Sequence, residues 1–159
     1  GGGSMRNAIP REAEAKVAIP KAQGRLFKQT VDKVLQKILA EELADSDAGL
    51  AWKTATVQAP RCMSLTSSRT TLNLLSAIPN GVTDMSREIE GLVESSTNLG
   101  VVKTEGARVG VVCCSRSSVM SALAELVEQH RAIGVLAGAD LGFGSKGKRC
   151  FGDRSRHSR

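Results

Sequence analysis

The chain predicts an α+β fold: a two-layer sandwich of an antiparallel sheet with helices on one face, similar to a ferredoxin-like arrangement with an insertion. Three observations predict it. Apolar residues recur at helical spacing in three separate stretches. Between the second and third of these lies a hairpin signal, two strand-like runs joined by Glu105-Gly106. Near the N-terminus, Ala13, Ala15, Val17 and Ile19 alternate with Glu12, Glu14, Lys16 and Ala18, as in a half-buried strand.

The residues before that first predicted strand are unusual. Pro10 fixes its own φ and holds Ile9 extended, so a stiff backbone presents Arg6-Asn7 and Arg11-Glu12. Asn7 has a donor and an acceptor, and the arginines offer guanidinium forks that match carboxylates. Solvated charges beside a strand are the plainer reading of the same residues. Next comes a predicted helix over residues 22–44, with Leu26, Phe27, Val31, Val34, Leu35, Ile38, Leu39 and Leu43 in one stripe. Both signs of charge line its other side, which suits water better than a lipid surface. The run from Asp45 to Gly49 ends it. Thr54 to Val57 reads as a short strand beside Trp52, limited by Pro60 to an edge.

A second helix is predicted over residues 66–77, capped by Ser67 or Ser68 and stopped at Ile78-Pro79-Asn80-Gly81. The hairpin strands follow, at residues 92–104 and 107–116. Pairing Thr104 with Ala107 sets Leu99 opposite Val112 and Val102 opposite Val109. That register places Leu99, Val101, Val112 and Cys114 on one face, and Val102, Val109, Val111 and Cys113 on the other. With both faces apolar, one takes helices and the other calls for a partner. Ser117 or Ser118 caps a last helix over residues 119–137, and Gly138 ends it. His130 on that helix reads as packed or surface-lying, since no second ligand accompanies it.

The bulk numbers bound the function. The 159 residues make one domain or part of one, 41% of them hydrophobic and 3% aromatic. Net charge is +6, but residues 140–159 hold six Lys/Arg against two Asp, so the basicity belongs mainly to the tail. That tail is expected to be disordered. It contains a Gly142, Gly147, Lys148 spacing like that of a phosphate loop, but Arg149 stands where the magnesium-binding hydroxyl belongs. Nucleic-acid binding through the sheet is disfavoured, because neither hairpin strand carries an aromatic to stack on a base. No apolar run is long enough to span a bilayer. The four cysteines form no C-x-x-C pair, and a cytoplasmic setting with free thiols is expected. With two histidines and no completed nucleophile–base pair, the chain is expected to contain no catalytic residue and no metal ligand. What remains are polar residues: Asn7 before the first strand, Asn98 interrupting the hairpin's first strand near Gly100, and Arg116 closing the second strand, just before a serine-capped helix.

Four motifs occur in order: N-A-I-P-R-E-A at residues 7–13, I-P-N-G-V at 78–82, V-E-S-S-T-N-L-G-V-V at 93–102, and S-R-S-S-V at 115–119. Together they resemble the lid domain of the bacterial aminoacyl-histidine dipeptidases, carnosinase-like zinc metallopeptidases, over residues 2–138. The resemblance implies a lid that contributes to homodimerisation and closes over a dipeptide substrate. It implies that Asn7 and Arg116 contact the substrate backbone and carboxylate. Zinc would be bound in the intact parent enzyme by a catalytic domain, not by this chain. On this reading residues 1–139 are a partial lid and 140–159 a basic tail unlike the family. The chain is then a fragment that supplies substrate-orienting and dimer contacts for hydrolysis of Xaa-His dipeptides such as carnosine. The rival reading is a non-catalytic homodimerisation module.

Overall fold

A computed structural model describes residues 1–58, 61–142 and the backbone of 151–153. The chain divides into two compact units, Lys16–Cys62 and the remainder, Gly1–Ala15 with Met63–Arg159.

The larger unit is the α+β sandwich. Its helices are α2 (Leu65–Ala77) and α3 (Met120–Leu136), and its strands are β1 (Gly81–Met85), β2 (Val93–Glu105), β3 (Arg108–Ser117), β4 (Ala139–Asp140) and β5 (Phe151–Asp153). Every strand pairing is antiparallel, in the order β1-β2-β3-β5-β4. Asp140 and Phe151–Asp153, part of the tail expected to be disordered, thus pair as strand. The rest of that expectation, and most of the phosphate-loop spacing, lies outside the described residues.

The core lies between the sheet and α2 and α3. Leu74 and Ile78, at the end of α2, cluster with Val109 and Val111 of β3, and Leu99, Val102, Ile133 and Ala137 pack around them. Val111 is fully buried, which contributes about 1.5–3 kcal/mol. Toward the other end of the hairpin the same face turns polar. Ser95 and Thr97 are buried there, and their hydroxyls pair across the strands with Ser117 at 2.7 Å and Ser115 at 2.9 Å. Mutual hydrogen bonding offsets the cost of burying these hydroxyls.

The hairpin register corrects the expected one. The two-residue turn is Gly106-Ala107, closed by the Glu105–Arg108 pair, and Thr104 faces Val109. Gly106 has φ +60° and Ala107 does not have positive φ, so the turn has the form that needs glycine at its first central position. A bulge interrupts β2 between Leu99 and Val101, where Gly100 has no partner of its own across the ladder. It moves Leu99 to the helix side with Val102, Val109, Val111 and Cys113, against the expected grouping with Val101, Val112 and Cys114.

The expected strand at residues 12–19 does not form. Only Ala13 makes an isolated bridge, to Gly2, and every residue from Glu12 to Ile19 is exposed. Alternating Ala, Val and Ile supplies too little apolar area to secure a strand that lacks a neighbour along its length. Gly2 itself bridges Val102 through two backbone hydrogen bonds of 2.9 Å, farther along β2 than Thr97, which faces the first residue of β1.

The smaller unit is built on α1 (Gly24–Glu41), preceded by a 3-10 turn at Lys21–Gln23. No residue of α1 is buried, and Leu26 and Val34 are at least half exposed. Ile19, Gln23, Leu26, Phe27 and Thr30 line a shallow hollow of about 220 Å³ on it. Trp52 Nε1 donates to Asp32 Oδ1 at 2.9 Å, tying the following segment to the helix. The expected strand at Thr54–Val57 is irregular chain.

Candidate functional site

The polar residues singled out in the sequence come together on the face of the hairpin turned away from α2 and α3. Within β2 and β3 that face carries Ser96, Asn98, Val101, Val112, Cys114 and Arg116, by alternation on either side of the bulge. Asn98 stands opposite Cys114, and Ser96 opposite Arg116, so Asn98 and Arg116 are close diagonal neighbours on adjacent strands. Arg116 is exposed near the end of β3.

Asn7 reaches this face through its backbone. Residues 6–8 form a turn, and the Asn98 carboxamide nitrogen donates to both flanking carbonyls, Arg6 at 2.9 Å and Ala8 at 2.9 Å. Asn7, between them, is exposed. Two glycines make this approach possible. A side chain on Gly100 would place its Cβ 2.5 Å from the Arg6 carbonyl oxygen. Gly3, at φ +73°, would drive a Cβ into the Gly100 carbonyl. Just before β1, Asn80 Oδ1 accepts the Leu99 backbone N–H at 2.8 Å. That bond satisfies a donor next to the bulge and ties I-P-N-G-V to the same place.

The structure therefore brings the Asn7 turn and Arg116 to one face. The sequence had marked Asn98 as a polar interruption of a strand without giving it a task. Its signal was a carboxamide beside a strand glycine, two residues of low strand propensity close together. Asn80 was read only as part of a turn.

Other reactive groups lie elsewhere. His130 is 4% exposed, and its Nδ1–H donates to the Leu126 carbonyl at 2.6 Å, one helical turn back. Its Nε2 is buried without a hydrogen-bond partner. Cys113 is on the helix side of the sheet, and burial pushes its thiol from 9.0 up to about 11, with Cys114 adding to the rise. A thiol so held is a poor nucleophile at neutral pH. Among the described residues no three His, Cys, Asp or Glu side chains come close enough to hold a metal ion. The described residues do not fit a zinc site. No helix among the described residues is long and apolar enough to cross a membrane.

The chain is similar to known proteins in sequence and in fold. No protein-family model matches the chain. The cytosol non-specific dipeptidase of Escherichia coli (strain K12) is 38% identical over 139 residues, 87% of this chain. The chain is homologous to part of a dipeptidase. The crystal structure of aminoacylhistidine dipeptidase from Vibrio alginolyticus superposes with a TM-score of 0.84 at 32% identity, covering 91% of this chain. The chain spans 28% of the length of the Escherichia coli relative and 29% of the Vibrio chain. The resemblance carried by the four sequence motifs is thus matched by similarity over most of the chain in sequence and in fold.

Proposed function

We propose that this chain is the lid part of a zinc-dependent aminoacyl-histidine dipeptidase, and that it orients the substrate without cleaving it. The observation that carries this reading is the shared face: the turn bearing Asn7 and the exposed Arg116 lie on one side of the hairpin. A carboxamide can donate to and accept from a peptide group, and a guanidinium can grip a carboxylate with two parallel hydrogen bonds. A dipeptide offers one peptide group and one terminal carboxylate, so the two side chains match these two groups. Such contacts speed a reaction by holding the substrate in place. The similarity to two dipeptidases supports the substrate class. Zinc and the hydrolytic step belong to the parent enzyme outside these residues, in a cytoplasmic setting.

The test is a titration of the isotope-labelled chain with alanyl-histidine, followed by NMR and by an assay for free histidine with added zinc. The expected result is a shift of the Asn7 side-chain amide and the Arg116 guanidinium signals, with no histidine released. Zinc-dependent hydrolysis by the chain alone, or unmoved signals at saturating dipeptide, overturns the reading.

The second reading, a homodimerisation module without catalysis, is favoured by a different observation. Strand β1 lies at the edge of the sheet with all five residues exposed, Val82 and Met85 among them. An exposed edge of this kind is a template for a second chain.

A further inference from the structure

The side chain that decides where Asn7 lies is Asn98, 90 or more residues away in sequence from the carbonyls it holds. We propose that Asn98 is a positioning residue of the dipeptide site: it fixes the turn on either side of Asn7 so that the Asn7 carboxamide is already oriented when the dipeptide arrives. The proposal rests on the substrate-orienting reading of Asn7 above.

Five features carry it. Only the nitrogen of a carboxamide can donate to two carbonyls, so the bonds to Arg6 and Ala8, each 2.9 Å, fix the orientation of the Asn98 amide. They bracket a single residue, Asn7, so the backbone on both sides of it is pinned. The bulge at Gly100 turns Asn98 onto the face where the turn lies. Finally, Gly100 and Gly3 lack the Cβ atoms that would push the turn away. Pro10 stiffens the exit of the same segment. A loop of exposed residues has here been given a fixed shape at one point along its length. This is pre-organisation, which raises affinity by raising the fraction of molecules ready to bind.

The experiment compares the 159-residue chain with its Asn98→Ala, Asn98→Asp, Asn7→Ala and Asn7→Ala/Asn98→Ala variants. Asn98→Asp keeps the size of the side chain and replaces its donors with acceptors. Two quantities are read by NMR: the backbone order of residues 6–8 and the affinity for alanyl-histidine. Cross-strand signals between Ser95 and Ser117 report that the hairpin is intact. The expected result is that Asn98→Ala and Asn98→Asp both lose order at residues 6–8 and weaken dipeptide binding about tenfold. The double variant binds no more weakly than Asn7→Ala alone. Asn98→Asp regains part of that order below roughly pH 4, where the protonated acid can donate to one of the two carbonyls. Full order and affinity in Asn98→Asp at neutral pH, or additive losses in the double variant, overturn the proposal. If the unaltered chain does not bind the dipeptide, the functional reading fails. The order of residues 6–8 then decides the positioning alone: kept in Asn98→Asp, it refutes it; lost, it upholds it.

Discussion

At the scale of single residues, the clearest contrast is between two neighbours on opposite faces of one strand. Cys113 points to the core side and Cys114 to the open side. The Cys113 thiol, raised to about 11 by burial and then by Cys114, is protonated in the folded chain well above the pH at which a free thiol ionises. Its contribution to stability is complete below 9.0, the unfolded value, and is lost as pH rises from there through about 11. Urea unfolding at pH 8.5 and 10.5 should therefore show a drop in midpoint that is smaller in Cys113→Ala than in the unaltered chain. Equal drops would mean that Cys113 titrates normally. Asn7 and Arg116 could be singled out from sequence because residues flanking stiff or capped ends stand out chemically. The role of Asn98 could not, because its partners are brought near only by tertiary folding.

At the scale of elements, the helices were readable and their caps were not. The predicted second helix begins at Leu65, and the cap is Ser64, whose Oγ accepts the Ser67 N–H at 3.0 Å. Ser67 and Ser68, the expected caps, are already helical. In a run with serines at 64, 67 and 68, side-chain chemistry alone cannot choose among them. Replacing Ser64 with Ala should cost about 1 kcal/mol in chemical unfolding. The same change at Ser68 should cost much less, and equal losses would deny the assignment. Neither Ser117 nor Ser118 caps α3. The Ser117 Oγ accepts the Val119 N–H and also pairs with Ser95, which makes it a joint between strand and helix. The hairpin was legible as a hairpin because its apolar alternation is long. Its register was not, because either Glu105-Gly106 or Gly106-Ala107 supplies a glycine for the turn. The strand expected at residues 12–19 failed because alternation marks a half-buried strand but only a partner along its length completes one.

For the whole molecule, the class was legible because the helix–hairpin–helix order leaves few ways to bury the apolar faces. The division into two units was not, since the stripe on α1 looks the same in sequence whether or not it is covered. Phe27, Val31, Leu35, Ile38 and Leu39 on that stripe are half-buried, and no residue of α1 is fully buried. The homodimerisation reading belongs at this scale. It gives an expected outcome of a dimer in light scattering at high protein concentration, with Val82→Lys on the β1 edge restoring the monomer. A monomer at every concentration refutes it.

The glycine at position 100 can be understood as a change of phase. A strand without interruption sends every second residue the same way, so Asn98 and Val102 would share a side. Val102 packs in the core, and an unbroken strand would carry Asn98 in beneath the helices, a carboxamide among aliphatic side chains. One unpaired residue shifts the count. The stretch before it can then lay serine and threonine hydroxyls inward in mutual pairs and turn its asparagine outward. The stretch after it keeps valine inward. A single strand thus obeys two opposite patterns, one on each side of a residue that has no side chain to obey either.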